Sequence, residues 1–437
     1  MKRALPHLKS TSVQDSFYTY QNLIMVIGLI LSFSGGSWDI TFHILSQPES
    51  FFSYPHSLVY SGILLVISIF FINFKRNFEA EKTIKKNNII ILAGIVLILA
   101  AGPFDFSWHL EFGLDGLLSP PHLTLLTGWL LIAIGNLRIT NVRVDRSKNK
   151  ITESTSPDYD FNIIELKNIK SNSDRDKGSA DITSPNKFKE NSIRNENNNS
   201  YEKSPILYRI QVFLNLSILL MILSGFLYFF SLPFSETQSY NFNPPPLLAF
   251  FVYGLGFPIL FSAYFIYILK RYPDLKILVP LVGAFYVIIT LITQISSNSF
   301  LSEYFGYYLL NLIPFALFYL VNRYQLAKKE ISKEEKAGFL SSVKQRDGFS
   351  RVTSNYPSIF LAIIFGVLSY SLCFPLNTYV YNEVMYGYLI YQNLVVKVYQ
   401  EVIFENFMII ASMSVAGGFI GHMLNYKRQF ISNRTND

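Results

Sequence analysis

Long apolar segments without charged residues dominate this chain of 437 residues. A helix needs about 20 apolar residues to cross the roughly 30 Å hydrocarbon core of a bilayer. Segments of this kind lie at roughly 21–45, 56–74, 87–111, 121–140, 207–232, 246–270, 274–296, 303–325, 357–376 and 400–424. Only 15% of the residues are charged, against about 25% in a typical soluble domain. We therefore predict an all-α polytopic membrane helical bundle of about ten transmembrane helices, with the lipid bilayer as its surroundings.

The positions of the positive charges predict which side of the membrane the termini occupy. Lys and Arg collect in the N-terminal segment, in the even-numbered connections and in the C-terminal tail. Neither residue occurs in the odd-numbered connections at 46–55, 112–120, 233–245 and 297–302, and the remaining one, 377–399, has a single Lys. Because cytoplasmic loops are enriched in Lys and Arg, we expect a multi-pass cell-membrane protein with both termini in the cytoplasm. The same rule accounts for the net charge of +7 without a nucleic-acid partner.

A long polar segment divides the predicted helices into two groups. Residues 143–205 are rich in Asn, Ser and charges of both signs, a composition typical of a disordered cytoplasmic linker. We therefore expect a four-helix membrane unit at 1–142 and a six-helix membrane domain with a cytoplasmic tail at 206–437. The single cysteine, Cys373, excludes an internal disulfide and a thiolate-rich metal site.

An internal repeat in the N-terminal unit carries four of the six histidines of the chain. Residues 36–62 (the first copy) and 102–128 (the second copy) align without gaps at an offset of 66 residues and share seven of 27 positions. Each copy contains the pattern Asp-x3-His-x12-His. We predict that each copy is part of a helical hairpin, so that the four N-terminal helices form two related hairpins.

The spacing of this pattern is expected to bring its three side chains together. Asp and His four residues apart lie on one face of a helix, and the second His follows a proline that suits the start of the returning helix. The positive end of the helix dipole keeps that imidazole neutral, which is the form that binds metals. The predicted ligands are Asp39, His43 and His56 (the first cluster) and Asp105, His109 and His122 (the second cluster).

One carboxylate and two imidazoles, without sulfur, suit copper(II), zinc or non-haem iron. Three protein ligands leave an open coordination position, as in catalytic sites, and ionisable groups at membrane depth are functional by default. The alternative cofactor is a haem b bound by two histidines. Such a haem takes both axial ligands from histidine, so it does not explain the aspartate one turn from a histidine in each copy. The alternative roles for the clusters are structural polar pairing and proton relay.

The second copy resembles the C-type membrane protein of the particulate methane and ammonia monooxygenase family. The residues that carry the resemblance are Asp105, Trp108, His109, Asp115, Ser119, Pro120, Pro121 and His122. The resemblance extends over residues 30–135 and implies that the ion is copper, held in the membrane near a site of oxygen chemistry. It also implies other membrane subunits as partners. Both copies have Asp, whereas one of the two sites in that family has Asn, so the chain departs from the family pattern there.

Each copy also contains a carboxylate that is expected to support the ligands. Asp115 follows His109 within the stretch that resembles the family, and Glu49 takes its place in the first copy. A carboxylate that hydrogen-bonds to a ligating imidazole orients the ring and strengthens metal binding. Because the second copy retains the fuller signature, we expect the second cluster to bind metal more strongly than the first.

These patterns predict an integral membrane metalloprotein with one or two metal sites at the outer face of the membrane. The sites belong either to a redox enzyme, such as an oxidase or monooxygenase-like component, or to a non-catalytic metal assembly or transport factor. A haem-binding membrane protein is the third alternative.

Overall fold

The computed structural model describes residues 6–44, 50–112, 118–155, 204–231, 248, 251–272, 275, 277–297, 309, 312–321, 323–324 and 407–434. Regular structure in these residues is helical throughout, without strands. Five of the described helices are long and apolar enough to cross a membrane: Tyr20–Ile40, Tyr54–Ile72, Lys82–Phe112, Pro120–Arg143 and Ile206–Phe230. They match the first five predicted spans, whereas the total of ten stays a prediction. The predicted span at 357–376 lies outside the described residues.

The N-terminal unit contains four long helices and one short one. They are α1 (Pro6–Ile44), α2 (Tyr54–Ile72), the short α3 (Phe74–Glu79), α4 (Lys82–Phe112) and α5 (Pro120–Thr155). Helix α5 continues past its membrane segment into the beginning of the predicted linker, and residues 156–203 of that linker lie outside the described residues. The later helices are α6 (Ser204–Ser231), α7 (Phe257–Arg271, preceded by a π-helical turn at Val252–Gly256), α8 (Leu278–Ser297), α9 (Leu312–Val321) and α10 (Phe407–Arg434).

Two glycine contacts hold the helical hairpins α1–α2 and α4–α5 together. A Cβ atom on Gly28 would lie 2.8 Å from the carbonyl oxygen of Gly62, and one on Gly94 would lie 2.6 Å from that of Gly128. Small residues let two helix backbones approach closely in the membrane, where van der Waals packing drives helix association. The two crossing points are related by an offset of 66 residues, which is also the offset between the two copies.

Buried polar contacts join the two hairpins to each other and to α6. The Trp129 indole N–H donates to Ser32 Oγ at 2.9 Å, which links α5 to α1. The Asn136 side-chain amide donates to the Asn22 carbonyl oxygen and to Asn215 Oδ1, both at 3.1 Å. With no water in the bilayer core, such groups must find partners within the protein. The first helix of the predicted C-terminal domain, α6, therefore packs directly on the N-terminal unit.

Both hairpin turns lie at the same end of the N-terminal unit, because α1, α2, α4 and α5 alternate in direction. At this end the Phe51 ring lies 5.2 Å from the Tyr60 ring and 6.3 Å from the Phe106 ring. Aromatic contacts thus connect the two hairpins close to their turns.

Candidate metal centre

The second cluster lies where α4 ends and α5 begins. Asp105 and His109 are one turn apart near the end of α4, and His122 is in the first turn of α5. The close crossing of these two helices at Gly94 and Gly128 aligns their ends. As a result, the three residues each offer one ligand atom within 4.8 Å of the others.

The distances within the second cluster suit a shared ion. Asp105 Oδ1 lies 3.5 Å from His109 Nε2 and 3.5 Å from His122 Nε2. These separations are longer than a good hydrogen bond. Nitrogen and oxygen ligands at about 2.1 Å from a tetrahedral ion are about 3.4 Å from one another. Asp105, His109 and His122 are therefore a group of three side chains that could hold a metal ion.

The surroundings of the second cluster are partly closed and aromatic on one side. The three side chains are 28%, 20% and 14% exposed in chain order, which leaves room for a further ligand. Phe104, Trp108 and Phe112 form an aromatic stripe on α4, with ring centroids 5.7 Å and 4.4 Å apart. Phe104 and Trp108 each precede a ligand, Asp105 or His109, by one residue, so the stripe lies on the neighbouring face of α4, where Phe104 and Phe112 are exposed.

Ser119 is a functional candidate to which the sequence pattern assigned no role. Its hydroxyl oxygen lies 2.8 Å from His122 Nδ1, and the residue is fully buried. This contact turns the opposite ring nitrogen, Nε2, toward Asp105. The sequence feature that could have identified Ser119 is the serine at the same position of both copies.

In the first cluster the structure brings two of the three predicted ligands together. His56 Nε2 lies 3.0 Å from Asp39 Oδ1, and His56 Nδ1 lies 3.1 Å from the Ser50 carbonyl oxygen. The third predicted ligand, His43, is in α1, but its side chain lies outside the described residues. The distance of 3.0 Å is shorter than the 3.5 Å that separates Asp105 Oδ1 from each imidazole of the second cluster.

The two supporting carboxylates, Glu49 and Asp115, lie outside the described residues, so their roles stay predictions. The two clusters are neighbours through Tyr60, whose ring centroid is 5.9 Å from that of His56. Both Asp39 and Asp105 are near enough to interact electrostatically with the Tyr60 hydroxyl. The aspartates of both copies therefore face a common region between the hairpins.

Three comparisons with known proteins find no counterpart for this chain. No protein-family model matches it, and neither the curated proteins nor the solved structures include a significant match.

Proposed function

We propose that this chain is an integral membrane metalloprotein that binds a transition-metal ion through Asp105, His109 and His122. The observation that supports the proposal most directly is the position of Asp105 Oδ1, which is 3.5 Å from Nε2 of both histidines. This is the spacing of ligands around one tetrahedral ion. The ligand set of one carboxylate and two imidazoles leaves a coordination position open for an exchangeable group.

The same geometry favours a single ion over a haem. A porphyrin bound by both histidines would have to lie between their Nε2 atoms, and Asp105 Oδ1 lies only 3.5 Å from each of them. The carboxylate would have to move away, and its contacts with both imidazoles would be lost. A single ion would use all three side chains, whose ligand atoms lie within 4.8 Å of one another.

The proposed ion is copper, and the proposed role is that of a redox component similar to part of a monooxygenase. This choice rests on the resemblance of residues 30–135 to the C-type membrane protein of the particulate methane and ammonia monooxygenases. Imidazole and carboxylate ligands are compatible with copper(II), and also with zinc or iron. The alternative role is that of a metal assembly or transport factor, for which the open coordination position would serve to pass the ion on.

We also propose that the two hairpins arose by duplication and that the first cluster, Asp39, His43 and His56, is a second and weaker site. The matching glycine crossings in α1–α2 and α4–α5, at the offset of the two copies, support the duplication. The short distance between Asp39 and His56 supports the weaker affinity, because the two side chains must separate to reach the spacing of ligands around one ion.

The first test measures metal in full-length protein purified in detergent. We expect mass spectrometry to find copper, and electron paramagnetic resonance to show copper(II) with nitrogen ligands. Asp105→Asn, which keeps the size of the side chain but removes its charge, should lower the copper content and change the spectrum. His422→Gln is the matched control, since His422 is buried in α10 and lies outside both clusters.

Copper content that is equal in wild-type protein and in Asp105→Asn would contradict the site. A Soret band that is lost in His109→Ala would support the haem alternative instead. To separate the two roles, the reduced protein can be exposed to dioxygen. Reoxidation of the bound copper on a time scale of seconds favours the redox role, whereas transfer of copper to a chelator without reoxidation favours the carrier.

A further inference from the structure

Ser119 immediately precedes α5, at the position where a serine hydroxyl usually caps a helix. Such a hydroxyl normally accepts a hydrogen bond from the backbone N–H of the second or third helical residue. In α5 the first two residues are Pro120 and Pro121, which have no N–H group. Pro121 thus removes one of the two backbone donors that could occupy the Ser119 hydroxyl, and this hydroxyl contacts the ring of His122.

The Ser119 hydroxyl can serve both neutral tautomers of His122, because a hydroxyl donates and accepts. When Nε2 carries the proton and faces Asp105, Nδ1 is an acceptor and the serine donates to it. When Nε2 binds a metal ion, the ring proton must be on Nδ1, and the serine then accepts from it. The proton moves between the two nitrogens of one ring, so the net charge of the imidazole does not change.

The first copy lacks this arrangement at the equivalent serine. Ser53 precedes α2 and makes no side-chain capping bond, and within the described residues its buried hydroxyl oxygen has no hydrogen-bond partner. His56 Nδ1 faces the Ser50 carbonyl oxygen instead. A carbonyl oxygen only accepts, so this contact suits a single tautomer, the one with the proton on Nδ1.

We propose that Ser119 is a positioning residue of the second cluster. Its hydroxyl keeps a hydrogen bond to His122 Nδ1 in both states of the ring, as donor in the metal-free tautomer and as acceptor in the metal-bound tautomer. The inference rests on the proposed metal site. It adds that Ser119 gives the second cluster an adaptable partner for its imidazole, whereas the Ser50 carbonyl gives the first cluster a fixed one.

The test uses Zn²⁺, which is diamagnetic, with full-length protein in detergent. Partner groups that orient a ligating imidazole are typically worth about 10–100-fold in metal affinity. We expect Ser119→Ala to weaken Zn²⁺ binding by a factor in this range, and Ser119→Thr, which keeps the hydroxyl, to bind nearly as well as wild type. Ser53→Ala is the same change at the equivalent position of the first copy. It should leave the Zn²⁺ affinity of the second cluster, the stronger site, unchanged.

A second readout follows the tautomer in wild-type protein, so it does not depend on the folding of a variant. The chain has six histidines, which makes ¹⁵N-histidine spectra tractable, and the His122 signals are identified by their loss in His122→Gln. On adding Zn²⁺, the proton of His122 should move from Nε2 to Nδ1. Unchanged affinity in Ser119→Ala, or a His122 ring that keeps its proton on Nε2 in the zinc-bound protein, would overturn the inference. Failure of wild-type protein to bind Zn²⁺ or copper would instead overturn the metal site itself.

Discussion

At the scale of single residues, the two clusters differ in how far their side chains are prepared for an ion. Asp105 Oδ1 is 3.5 Å from both neighbouring imidazoles, whereas Asp39 Oδ1 is 3.0 Å from His56 Nε2. An ion bound in the second cluster would find Asp105 Oδ1 already at about the ligand spacing of a tetrahedral site from both imidazoles. In the first cluster it has to replace the contact between Asp39 and His56, which lowers the net gain on binding.

We therefore expect His109→Ala to remove more metal than His43→Ala. The readout is the metal stoichiometry of each variant after dialysis against the same free-metal concentration. Thermal unfolding of both variants is the control, because a ligand effect should appear without a matching loss of stability. Equal metal loss in the two variants would contradict two separate sites and would indicate one binuclear centre shared by the hairpins.

Asp115 provides a second prediction at this scale. If its carboxylate orients a ligating imidazole, Asp115→Ala should weaken metal binding by about 10–100-fold without abolishing it. A metal titration of the purified variant measures the change. If Asp115 only stabilises the turn before Pro120, the variant would instead have lower thermal stability and an unchanged metal affinity.

At the scale of helices, the α4–α5 hairpin depends on backbone contact at its crossing point. A Cβ at Gly94 would lie 2.6 Å from the Gly128 carbonyl oxygen and 2.7 Å from Ile132, so the helices would have to separate. Overpacking of this kind costs about 1–3 kcal/mol. Because Asp105 and His122 are on different helices of this hairpin, we expect Gly94→Ala to lower both the melting temperature and the metal affinity.

Gly102→Ala is the matched control for this prediction. Gly102 is also in α4, but no described atom lies within 4 Å of the Cβ that it would gain. Alanine has a higher helix propensity than glycine, by up to about 1 kcal/mol, so this variant should be as stable as wild type or slightly more stable. If both variants lost metal equally, the crossing at Gly94 would not be what aligns the ligands.

At the scale of the whole molecule, the direction of the bundle decides which compartment supplies the ion. Both hairpin turns are at one end of the N-terminal unit, and the positive-inside rule predicts that this end faces outside. In a variant with Cys373 replaced by serine, we expect cysteines introduced at Ser50 or Gly116 to react with a membrane-impermeant reagent in intact cells. A cysteine at Asn191, within the predicted linker, should react only after the cells are opened. Labelling at Asn191 in intact cells would reverse the orientation and move the metal site to the cytoplasm.

The amino-acid sequence was sufficient to define the class of the protein and the identity of the candidate ligands. Apolar runs of about 20 residues leave few alternatives to membrane helices, since every backbone polar group must be satisfied inside the bilayer. Asp105 and His109 could be placed on one helix face because a spacing of four residues is a local property of the helix. The repeat singled out His122 as their partner, since it stands at the same position as His56 in the other copy.

The distances and the supporting contacts, in contrast, depend on tertiary packing. The separation of Asp105 from His122 depends on how closely α4 and α5 cross, and this follows from the contact of Gly94 with the Gly128 carbonyl group. Ser53 and Ser119 occupy equivalent positions, yet only Ser119 contacts the ring of its histidine. A side-chain rotamer responds to everything packed around it, including residues distant in sequence. For that reason a pattern of spacings can identify the ligands, whereas the tautomer and the ligand distances depend on the folded environment of each copy.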